Sequence, residues 1–391
     1  MSTELIVSAL PGEVRAAVLR DERLQDLLVL REDAPPQAGD LFLARVQRFD
    51  KGLEAAFVDL GLERPGLLPL KQMPQGRPTE GASLAVKVLR APAADKGARV
   101  TAKLNPAEAA QAEGRKAPAR LTAGAGTLVA LLDAARPEAV IADDAALLRR
   151  LKTAQADSAC DFTLHSGATP VFEAEGLEEV IDGLLRPRAE LADGGSLLIE
   201  PGQTLTAIDV NAGRHDGRGG AAAQAREVNL SALPEIARQL RLRAISGLIV
   251  VDFLAMKKPE DRKAVAAALR EALAQDPEPA QVFGMSPSGL LEMTRRRGRA
   301  PLHEMLCRPC GLDGSGREKT PETLAYEALR HSLAQARGKV VTKITLRAAP
   351  AVAAALKGAQ APALAAVEQR LGRSIAIAAD PLVEGYDLVL G

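Results

Sequence analysis

Two short apolar stretches, each leading into an aspartate, constrain the fold of this chain more than any other feature. One reads LTAIDVN and carries Asp209, and the other reads GLIVVDF and carries Asp252. A helical segment, NLSALPEIARQLRLR, lies between them, and the order strand, helix, strand is typical of an α/β sheet. If the two strands are neighbours, both carboxylates emerge at the same edge of the sheet, where open α/β sheets bind their ligands.

The remaining segments predict further structural units. The chain has 391 residues, more than one hydrophobic core usually serves, so we expect about two to four domains. Residues 1–38 predict a small sheet, and the short apolar runs of residues 40–103 predict a small β-barrel. Residues 105–125 are typical of a linker or a loosely ended helix, and helical periodicity follows at 126–135 and 144–156. Strands and helices alternate from about 160 to 300, and the C-terminal part predicts a compact α+β domain.

Composition favours an ordinary globular protein, with 47% hydrophobic and 26% charged residues. Basic and acidic residues balance at 50 each, so a nucleic acid would have to be held by a local basic patch. Only 2% of residues are aromatic, so the core must be aliphatic and any surface aromatic stands out. No signal peptide or membrane-spanning run is visible, and three cysteines do not form a disulfide framework. We therefore expect a cytoplasmic protein without a membrane partner.

The two aspartates suggest a metal site. Carboxylates a few ångströms apart repel unless a cation lies between them, and such short oxygen ligands suit Mg²⁺. Asn211 is placed to hydrogen-bond a metal-bound water or the substrate, and the loop after it carries Arg214, His215 and Arg218 among glycines. Cations and exposed backbone N–H groups are what a phosphodiester needs, and a bound metal would polarise a phosphoryl oxygen and activate a water. The alternative is structural, because an aspartate after a strand is also a common helix cap or turn former.

Two further segments are rich in arginine. Arg238, Arg241 and Arg243 lie in the intervening helix, where a solvated helix face is the alternative to a functional role. Pro234 in the same segment is expected near the first turn, since a proline deeper in a helix would kink it. The stretch MTRRRGR supplies a second group that suits a phosphate backbone, although a merely soluble helix end explains it too. Its members are Arg295, Arg296, Arg297 and Arg299.

Read together, these residues resemble the bacterial ribonuclease E / ribonuclease G family of endoribonucleases. The similarity rests on LTAIDVN, on NLSALPEIARQLRLRAISGLIVVDF and on GLLEMTRRR…LHEMLCRPC, while GLEAAFVDLGLERPGLLPL is similar to the family's S1 RNA-binding domain. It covers roughly residues 1–105 and 125–391. It implies an α/β chain of several subdomains: an RNase H-like fold (1–39 and 104–160), an inserted S1 (OB-type) barrel (40–103), a DNase I-like catalytic subdomain (161–300), a zinc-link-like segment (301–317) and a small C-terminal domain (318–391).

The resemblance also assigns roles to single residues. Asp209 and Asp252 would bind the catalytic Mg²⁺, and Asn211 would assist at the scissile phosphate. Phe57 falls where the family stacks a base, although a core role is the alternative, and the family's second aromatic position falls on Leu67. Lys96 corresponds to a basic position that faces RNA, with a plain turn lysine as the alternative. The family's sensor for a 5′-monophosphate has no convincing equivalent here, since its interval is compressed to NPAEAAQAEGRKAPARLTAGAGTL.

The cysteines raise the question of zinc. Cys307 and Cys310 form one CxxC, which is half of a tetrahedral Zn²⁺ site and would need a second pair, for example from another subunit. The family's zinc link aligns with these two residues, or in another register begins at Cys310 and places Asp313 at the second cysteine. Two idle thiols are the alternative, and Cys160 is expected to be a small buried side chain.

Taken together, we expect a Mg²⁺-dependent endoribonuclease that cleaves single-stranded, often A/U-rich RNA to 5′-phosphate and 3′-hydroxyl ends in rRNA or mRNA processing or decay. A homodimer that shares zinc is part of this expectation. Arg214, Arg218, Arg295 and Arg297, with Phe57 and Lys96, are the predicted RNA contacts. The alternatives are a non-catalytic RNA-binding homologue and a metal phosphoesterase that acts on a small substrate.

Overall fold

A computed structural model describes residues 2–32, 36–74, 78–90, 92, 97–122, 125–155, 159–167, 169–192, 194–213, 220–310, 316–336 and 343–391. Within these ranges no helix is long and apolar enough to span a membrane. The chain is a mixture of helices and strands in several packed units.

The chain begins with an antiparallel meander of three strands. They are β1 (Thr3–Leu10), β2 (Glu13–Arg20) and β3 (Arg23–Arg31). Leu5 and Val7 of β1 pack on one side of this sheet and Ile6 packs on the other. Because neighbouring side chains of a strand point to opposite faces, a strand that is apolar at consecutive positions must be covered on both sides.

A closed five-stranded barrel follows, as the sequence predicted. Its elements are β4 (Leu41–Asp50), β5 (Ala55–Asp59), β6 (Gly66–Pro69), a 3₁₀ turn (Leu70–Gln72), β7 (Ser83–Arg90) and β8 (Arg99–Thr101). The strand order is β5-β6-β8-β7-β4, and β4 pairs back with β5. Ala56 and Val58 point into the barrel core, and so do Phe42 and Ala44.

The segment after the barrel returns the chain to the first sheet. It contains α1 (Pro106–Ala110), β9 (Ala119–Thr122), α2 (Ala125–Ala135), β10 (Ala139–Ala142), α3 (Ala145–Ala154), β11 (Asp161–Leu164), α4 (Val171–Ala174) and α5 (Leu177–Leu185). Strand β9 adds to the barrel, and the first sheet is completed in the order β11-β10-β1-β2-β3. Leu128 and Leu151 cover one face of this sheet, and Phe172 and Ile181 cover the other. The helices predicted at 126–135 and 144–156 are thereby confirmed as α2 and α3.

A six-stranded mixed sheet carries the two aspartates. Its elements are β12 (Arg188–Glu190), β13 (Ser196–Pro201), β14 (Leu205–Asn211), α6 (Gly220–Leu242), β15 (Gly247–Asp252), α7 (Pro259–Ala272), β16 (Ala280–Met285) and β17 (Leu290–Arg295). The order is β12-β13-β14-β15-β17-β16, and among the described strands of this sheet only β14 and β15 pair in parallel.

Helices α6 and α7 cover one face of this sheet. Ile208, Val210, Ile249 and Val251 point into the resulting core. In β14 and β15 the residues of the opposite parity are partly or fully exposed, and we call the side that carries Asp209, Asp252, Phe283 and Glu292 the open face. One face of the sheet therefore supplies stability and the other is available to a ligand.

The position expected for Pro234 is wrong. Helix α6 begins at Gly220, so Pro234 lies well inside it rather than in its first turn. An interior proline costs about 3 kcal/mol or more, but the neighbouring Leu233 and Ile236 are fully buried against the sheet. Packing of the apolar face sustains the helix through a local break in its hydrogen bonding.

The C-terminal part combines a hairpin with a small α+β unit. It contains α8 (Leu302–Leu306), β18 (Cys307–Cys310), β19 (Gly316–Lys319), α9 (Pro321–Ala336), β20 (Ile344–Ala348), α10 (Pro350–Lys357), α11 (Ala361–Leu371), β21 (Ile375–Ala379) and β22 (Tyr386–Leu390). The small sheet has the order β21-β20-β22, and α9 packs both on it and on Leu10 of the first sheet.

A buried ion cluster also joins the first sheet to α9. Glu13 is 1% exposed and accepts hydrogen bonds from Arg15 Nε at 2.9 Å, Arg31 Nε at 2.7 Å and Arg330 Nη2 at 3.2 Å. Burial alone would raise the pKa of Glu13, but the three guanidinium groups outweigh it and lower the pKa to about 2. Glu13 is therefore ionised in the folded protein and serves as the counter-charge of three buried arginines.

Candidate active site

The two aspartates lie side by side. Strands β14 and β15 are parallel neighbours, and Asp209 is in direct register with Asp252. Residues in register on adjacent parallel strands point to the same face, with Cα atoms about 4.8 Å apart. The expectation that the two strands are neighbours and bring both carboxylates to one edge is confirmed.

Asn211 lies beside the two aspartates. It lies two residues after Asp209 and therefore on the same face, and its Nδ2 donates a hydrogen bond to Asp209 Oδ2 at 2.8 Å. The bond fixes the orientation of the Asp209 carboxylate and leaves its other oxygen for a ligand. Asn211 and Asp252 are exposed, and Asp209 is half-buried.

The donor set fits a hard divalent cation. Two carboxylates on adjacent strands, both open to solvent, supply oxygen ligands and a charge that a cation would neutralise. No group of three or more His, Cys, Asp or Glu side chains that could hold a metal occurs in the described part of the chain. A site with two carboxylates and several waters is the kind that Mg²⁺ occupies, because this ion keeps most of its water shell.

A buried asparagine, which the sequence analysis missed, holds the segment after Asp252. Asn229 of α6 is fully buried; its Nδ2 donates to the Leu254 carbonyl at 2.9 Å, and its Oδ1 accepts from the Leu254 N–H at 3.0 Å. These bonds pin the backbone two residues beyond Asp252 to the helix that covers the sheet. The signal in the sequence was a single asparagine on the apolar face of a predicted helix.

We expect Asn229→Ala to reduce both stability and activity. It leaves the partly buried N–H and carbonyl of Leu254 without the Asn229 side chain, which should lower the free energy of unfolding by about 2–5 kcal/mol. Misplacement of Asp252 should also lower kcat by up to about 100-fold. Urea unfolding and RNA-cleavage kinetics, measured at a temperature where the variant is folded, check both effects. Wild-type kcat in a destabilised variant would show that Asn229 has no part in positioning Asp252.

The loop after Asn211 starts at a position that only glycine fits. Gly213 has φ +63°, and a Cβ there would lie 2.1 Å from the Gly194 carbonyl oxygen. The chain therefore leaves the strand in tight contact with the turn that precedes β13. The predicted RNA contacts Arg214 and Arg218, together with His215, lie outside the described residues.

The predicted role of Arg295 in RNA binding is wrong. Its side chain is buried, pairs with Asp276 at 2.7 Å and donates to the Ile245 carbonyl at 2.8 Å. Its strand position is beside Gly247, five residues from Asp252, so its backbone lies about 17 Å from the carboxylate pair. Burial and a fixed partner make Arg295 a structural residue.

The other three arginines of the MTRRRGR stretch differ in their exposure and in their partners. Arg297 is exposed, with a long 3.3 Å contact to Glu304, so it remains available to a ligand at the far end of the sheet. Arg296 is exposed and paired with Glu278, while Arg299 binds Asp26 and the Arg241 carbonyl. The run does not form one continuous track beside the carboxylates.

Arg238 in α6 and Arg243 directly after it hold the fold together. Arg238 bonds Glu235 and the Leu24 carbonyl of the first sheet. Arg243 is 5% exposed and donates to Gln239 and to the Arg186 carbonyl, and burial lowers its pKa to about 10. A solvated helix face does not describe these two side chains.

The barrel presents an aromatic surface position. Phe57 lies between Ala56 and Val58, which both point into the barrel, so its own ring lies outside the core and is half-buried. The Arg48 guanidinium lies 4.3 Å from the ring centroid, and Leu67 is the cross-strand neighbour on the other side. A core role for Phe57 is therefore wrong, and an aromatic ring with an adjacent cation suits a nucleobase. Lys96 lies outside the described residues.

The two cysteines do not fit a shared zinc ion. Cys307 and Cys310 occupy strand β18, opposite Lys319 and Gly316. Residues three apart on a strand point to opposite faces, so the sulfurs cannot ligate one ion in this conformation. Cys307 packs against the core, and its burial raises the pKa of the thiol, which disfavours the thiolate that zinc needs. Cys160 is partly buried against the first sheet, and Asp313 lies outside the described residues.

Comparison with known proteins finds a family model and several relatives that match this chain. The model of the ribonuclease E/G family matches residues 101–298, which include the whole β14–α6–β15 unit. Ribonuclease G of Salmonella typhimurium (strain SL1344) is 28% identical over 488 aligned positions that cover 100% of both chains. Ribonuclease E of Escherichia coli (strain K12) is 28% identical over 84% of this chain and 40% of its own length. The ribonuclease E/G-like chloroplastic protein of Arabidopsis thaliana is 39% identical over 41% of this chain and 16% of its own.

These matches define the class of protein as a ribonuclease. The chain belongs to the ribonuclease E/G family. The family resemblance and the enzyme class predicted from the sequence are thereby confirmed.

Proposed function

We propose that this protein is a Mg²⁺-dependent endoribonuclease that cuts single-stranded RNA within the chain and leaves 5′-phosphate and 3′-hydroxyl ends. The observation that carries the proposal is the direct register of Asp209 with Asp252 on neighbouring parallel strands. Two carboxylates on neighbouring strands repel each other, a divalent cation would offset this repulsion, and such a cation serves phosphodiester hydrolysis.

Each residue of the group has a distinct part. Asp209 and Asp252 would hold the ion, which when bound supplies Lewis-acid stabilisation of phosphoryl charge and a water of lowered pKa. Asn211 orients the Asp209 carboxylate through its 2.8 Å hydrogen bond and presents no charge to an incoming phosphate. Asn229 keeps the backbone after Asp252 in place.

Residues outside the sheet edge that carries Asp209 and Asp252 would also bind the RNA. Phe57 and Arg48 on the barrel offer a ring for a base and a cation for its neighbouring phosphate. Arg297 offers a second exposed cation. On this proposal the barrel is an S1-type RNA-binding domain, the six-stranded sheet is the DNase I-like catalytic subdomain, and the first sheet is RNase H-like.

The positions of Asp209, Asn211, Asp252 and Phe57 argue against the two alternative functions. A binding protein that had lost cleavage would have no need to keep Asp209, Asn211 and Asp252 together, and all three are in place. A small-molecule phosphoesterase would have no use for the half-buried ring of Phe57 on the barrel surface. A role in rRNA or mRNA processing or decay and a cytoplasmic location are parts of the same proposal. Homodimerisation stays a prediction, and the strand geometry of the two cysteines gives it no support.

The function is tested with an end-labelled single-stranded RNA and purified protein. We expect internal cuts with Mg²⁺, new 5′-phosphate ends that a phosphate-dependent 5′-exonuclease can attack, and no cuts after chelation with EDTA. The same protein should hydrolyse a small chromogenic phosphodiester poorly. Efficient hydrolysis of that compound with intact RNA would instead favour the small-substrate phosphoesterase.

A further inference from the structure

The chain has seven phenylalanines and two tyrosines, and one of these rings stands out on the catalytic sheet. Phe283 in β16 is 52% exposed, while the other aromatic side chains are buried or half-buried. An exposed aromatic in a chain with so few of them needs an explanation. It lies on the same sheet as the carboxylate pair.

A bulge aims Phe283 at the open face. Val282 pairs with Met293 and Gly284 pairs with Glu292, so one extra residue is inserted between them. Val282 points into the core under the helices, and the next side chain, Phe283, therefore points the other way. Gly284 has no side chain, and a Cβ built on it would meet nothing within 4 Å, so space beside the ring is free.

The ring lies within reach of a strand bound at the carboxylates. Strand β16 is separated from β15 by β17 alone, and Glu292 beside Phe283 is in register with Val250, two residues before Asp252. Two strand spacings and two residues place the Cα atoms of Phe283 and Asp252 about 12 Å apart. A nucleotide near the scissile phosphate, but not at it, can place its base there.

Glu292 gives this position a chemical preference. Its side chain is exposed, and its carboxylate has no hydrogen-bond or ion-pair partner among the described residues. A carboxylate repels a phosphate but accepts hydrogen bonds from the amino group of a base. Uracil offers one N–H between two carbonyls, so adenine, cytosine and guanine suit this position better.

The surroundings favour a base over a protein partner. The strand neighbours of Phe283 on the open face, Gln281, Gly284 and Glu292, are polar or small, and the exposed Leu248 lies two strands away on β15. A stable protein interface needs a large patch with an apolar centre. One planar ring beside one acceptor matches how proteins bind unstacked bases of single-stranded RNA.

We infer that Phe283 and Glu292 form a base-binding position on the catalytic sheet, which stacks a base with an exocyclic amino group next to the cleavage site. The inference rests on the proposed function for its substrate. Its test measures binding alone, so the two can fail separately.

The test uses a fluorescein-labelled single-stranded RNA and protein that carries Asp252→Asn, which keeps the RNA intact. Adding Phe283→Ala should weaken binding by about 5- to 150-fold, equivalent to about 1–3 kcal/mol, while Phe283→Tyr should bind like the parent. A series of RNAs should then carry a single abasic nucleotide at successive positions. At one position the missing base should weaken binding to the parent protein but should not weaken binding to the Phe283→Ala protein any further. Leu382→Ala, at a residue 90% exposed in the C-terminal unit, is the matched control and should change nothing.

Specificity is tested at the position so identified. Adenine should bind more tightly than uracil by about 2- to 10-fold, and Glu292→Gln should remove the difference because an amide also donates. An unchanged ratio would overturn the role of Glu292.

Other results would overturn the stacking. Unaltered RNA affinity of Phe283→Ala would do so, as would a loss spread equally over all abasic RNAs, or a change in molar mass by light scattering with RNA binding unaffected.

If the wild-type protein cuts no RNA but the abasic pattern appears, the proposed function fails and the base position stands. If the wild type cuts RNA and Phe283→Ala binds it normally, the base position fails and the proposed function stands.

Discussion

Asp252→Asn should abolish RNA cleavage, with a loss of more than about 100-fold, while RNA affinity stays near that of the wild type. Exchange of a residue that only hydrogen-bonds a metal ligand already costs about 10- to 100-fold, and Asp252 would be a direct ligand. Asparagine keeps the shape of the side chain but removes the charge that faces Asp209 across the strand pair. Cleavage of labelled RNA and fluorescence anisotropy separate the two effects.

The matched control for this substitution is Glu200→Gln. Glu200 is exposed and lies on β13 opposite Ala207, so it occupies the open face without belonging to the carboxylate pair. Its substitution removes the same charge and should leave cleavage within about twofold, because the exposed Glu200 has no role as a ligand and water screens its charge. Equal losses in both variants would mean that the overall charge of the face matters rather than a metal-binding pair. Undiminished cleavage by Asp252→Asn would remove the basis of the proposed function.

Glu13→Gln should produce the largest loss of stability among single substitutions of similar size. The change keeps the side-chain volume but leaves Arg15, Arg31 and Arg330 buried without their shared counter-charge. Breaking a buried ion cluster in this way costs about 3–5 kcal/mol. Denaturant unfolding at neutral pH measures the loss.

The pH dependence of unfolding provides a second readout. The pKa of Glu13 is lowered from an ordinary value of 4.5 to about 2 in the folded protein. A depressed carboxyl pKa stabilises the fold at pH values above 4.5, and this contribution is lost as the pH falls towards 2. The wild type should therefore lose stability over this interval more steeply than Glu13→Gln. Parallel curves for the two proteins would show that the cluster is not titrating.

Glu190→Gln is the control for an ion pair that is not buried. Glu190 pairs with Arg188 at 2.7 Å on the surface, with both side chains largely exposed. Exposed pairs contribute little because water and salt screen them, so this variant should unfold like the wild type. A loss as large as that of Glu13→Gln would contradict the account based on burial.

The sequence alone predicted the strands and helices whose hydrophobic pattern is regular. The apolar runs before Asp209 and Asp252 predicted two strands joined by a helix, which would share a sheet edge if they were neighbours. The structure shows that they are neighbours. The closely spaced runs between residues 40 and 103 form the barrel, and consecutive strands pair in β4–β5, β5–β6 and β7–β8. Its closure also needs the β4–β7 and β6–β8 pairs between strands that are not consecutive. Local periodicity also placed α2 and α3 correctly.

Tertiary structure alone decided which of several similar side chains face solvent. Arg295 and Arg297 look alike in the sequence, yet Arg295 ends β17 on its core side and pairs with the buried Asp276, whereas Arg297 lies beyond the strand and is exposed. The exposure of Phe283 depends on the bulge in β16, and the contact of the buried Asn229 with Leu254 depends on the packing of α6 on the sheet. Residue pattern specifies elements and their connections, but burial and partner choice depend on contacts between segments far apart in the chain, which local sequence does not encode.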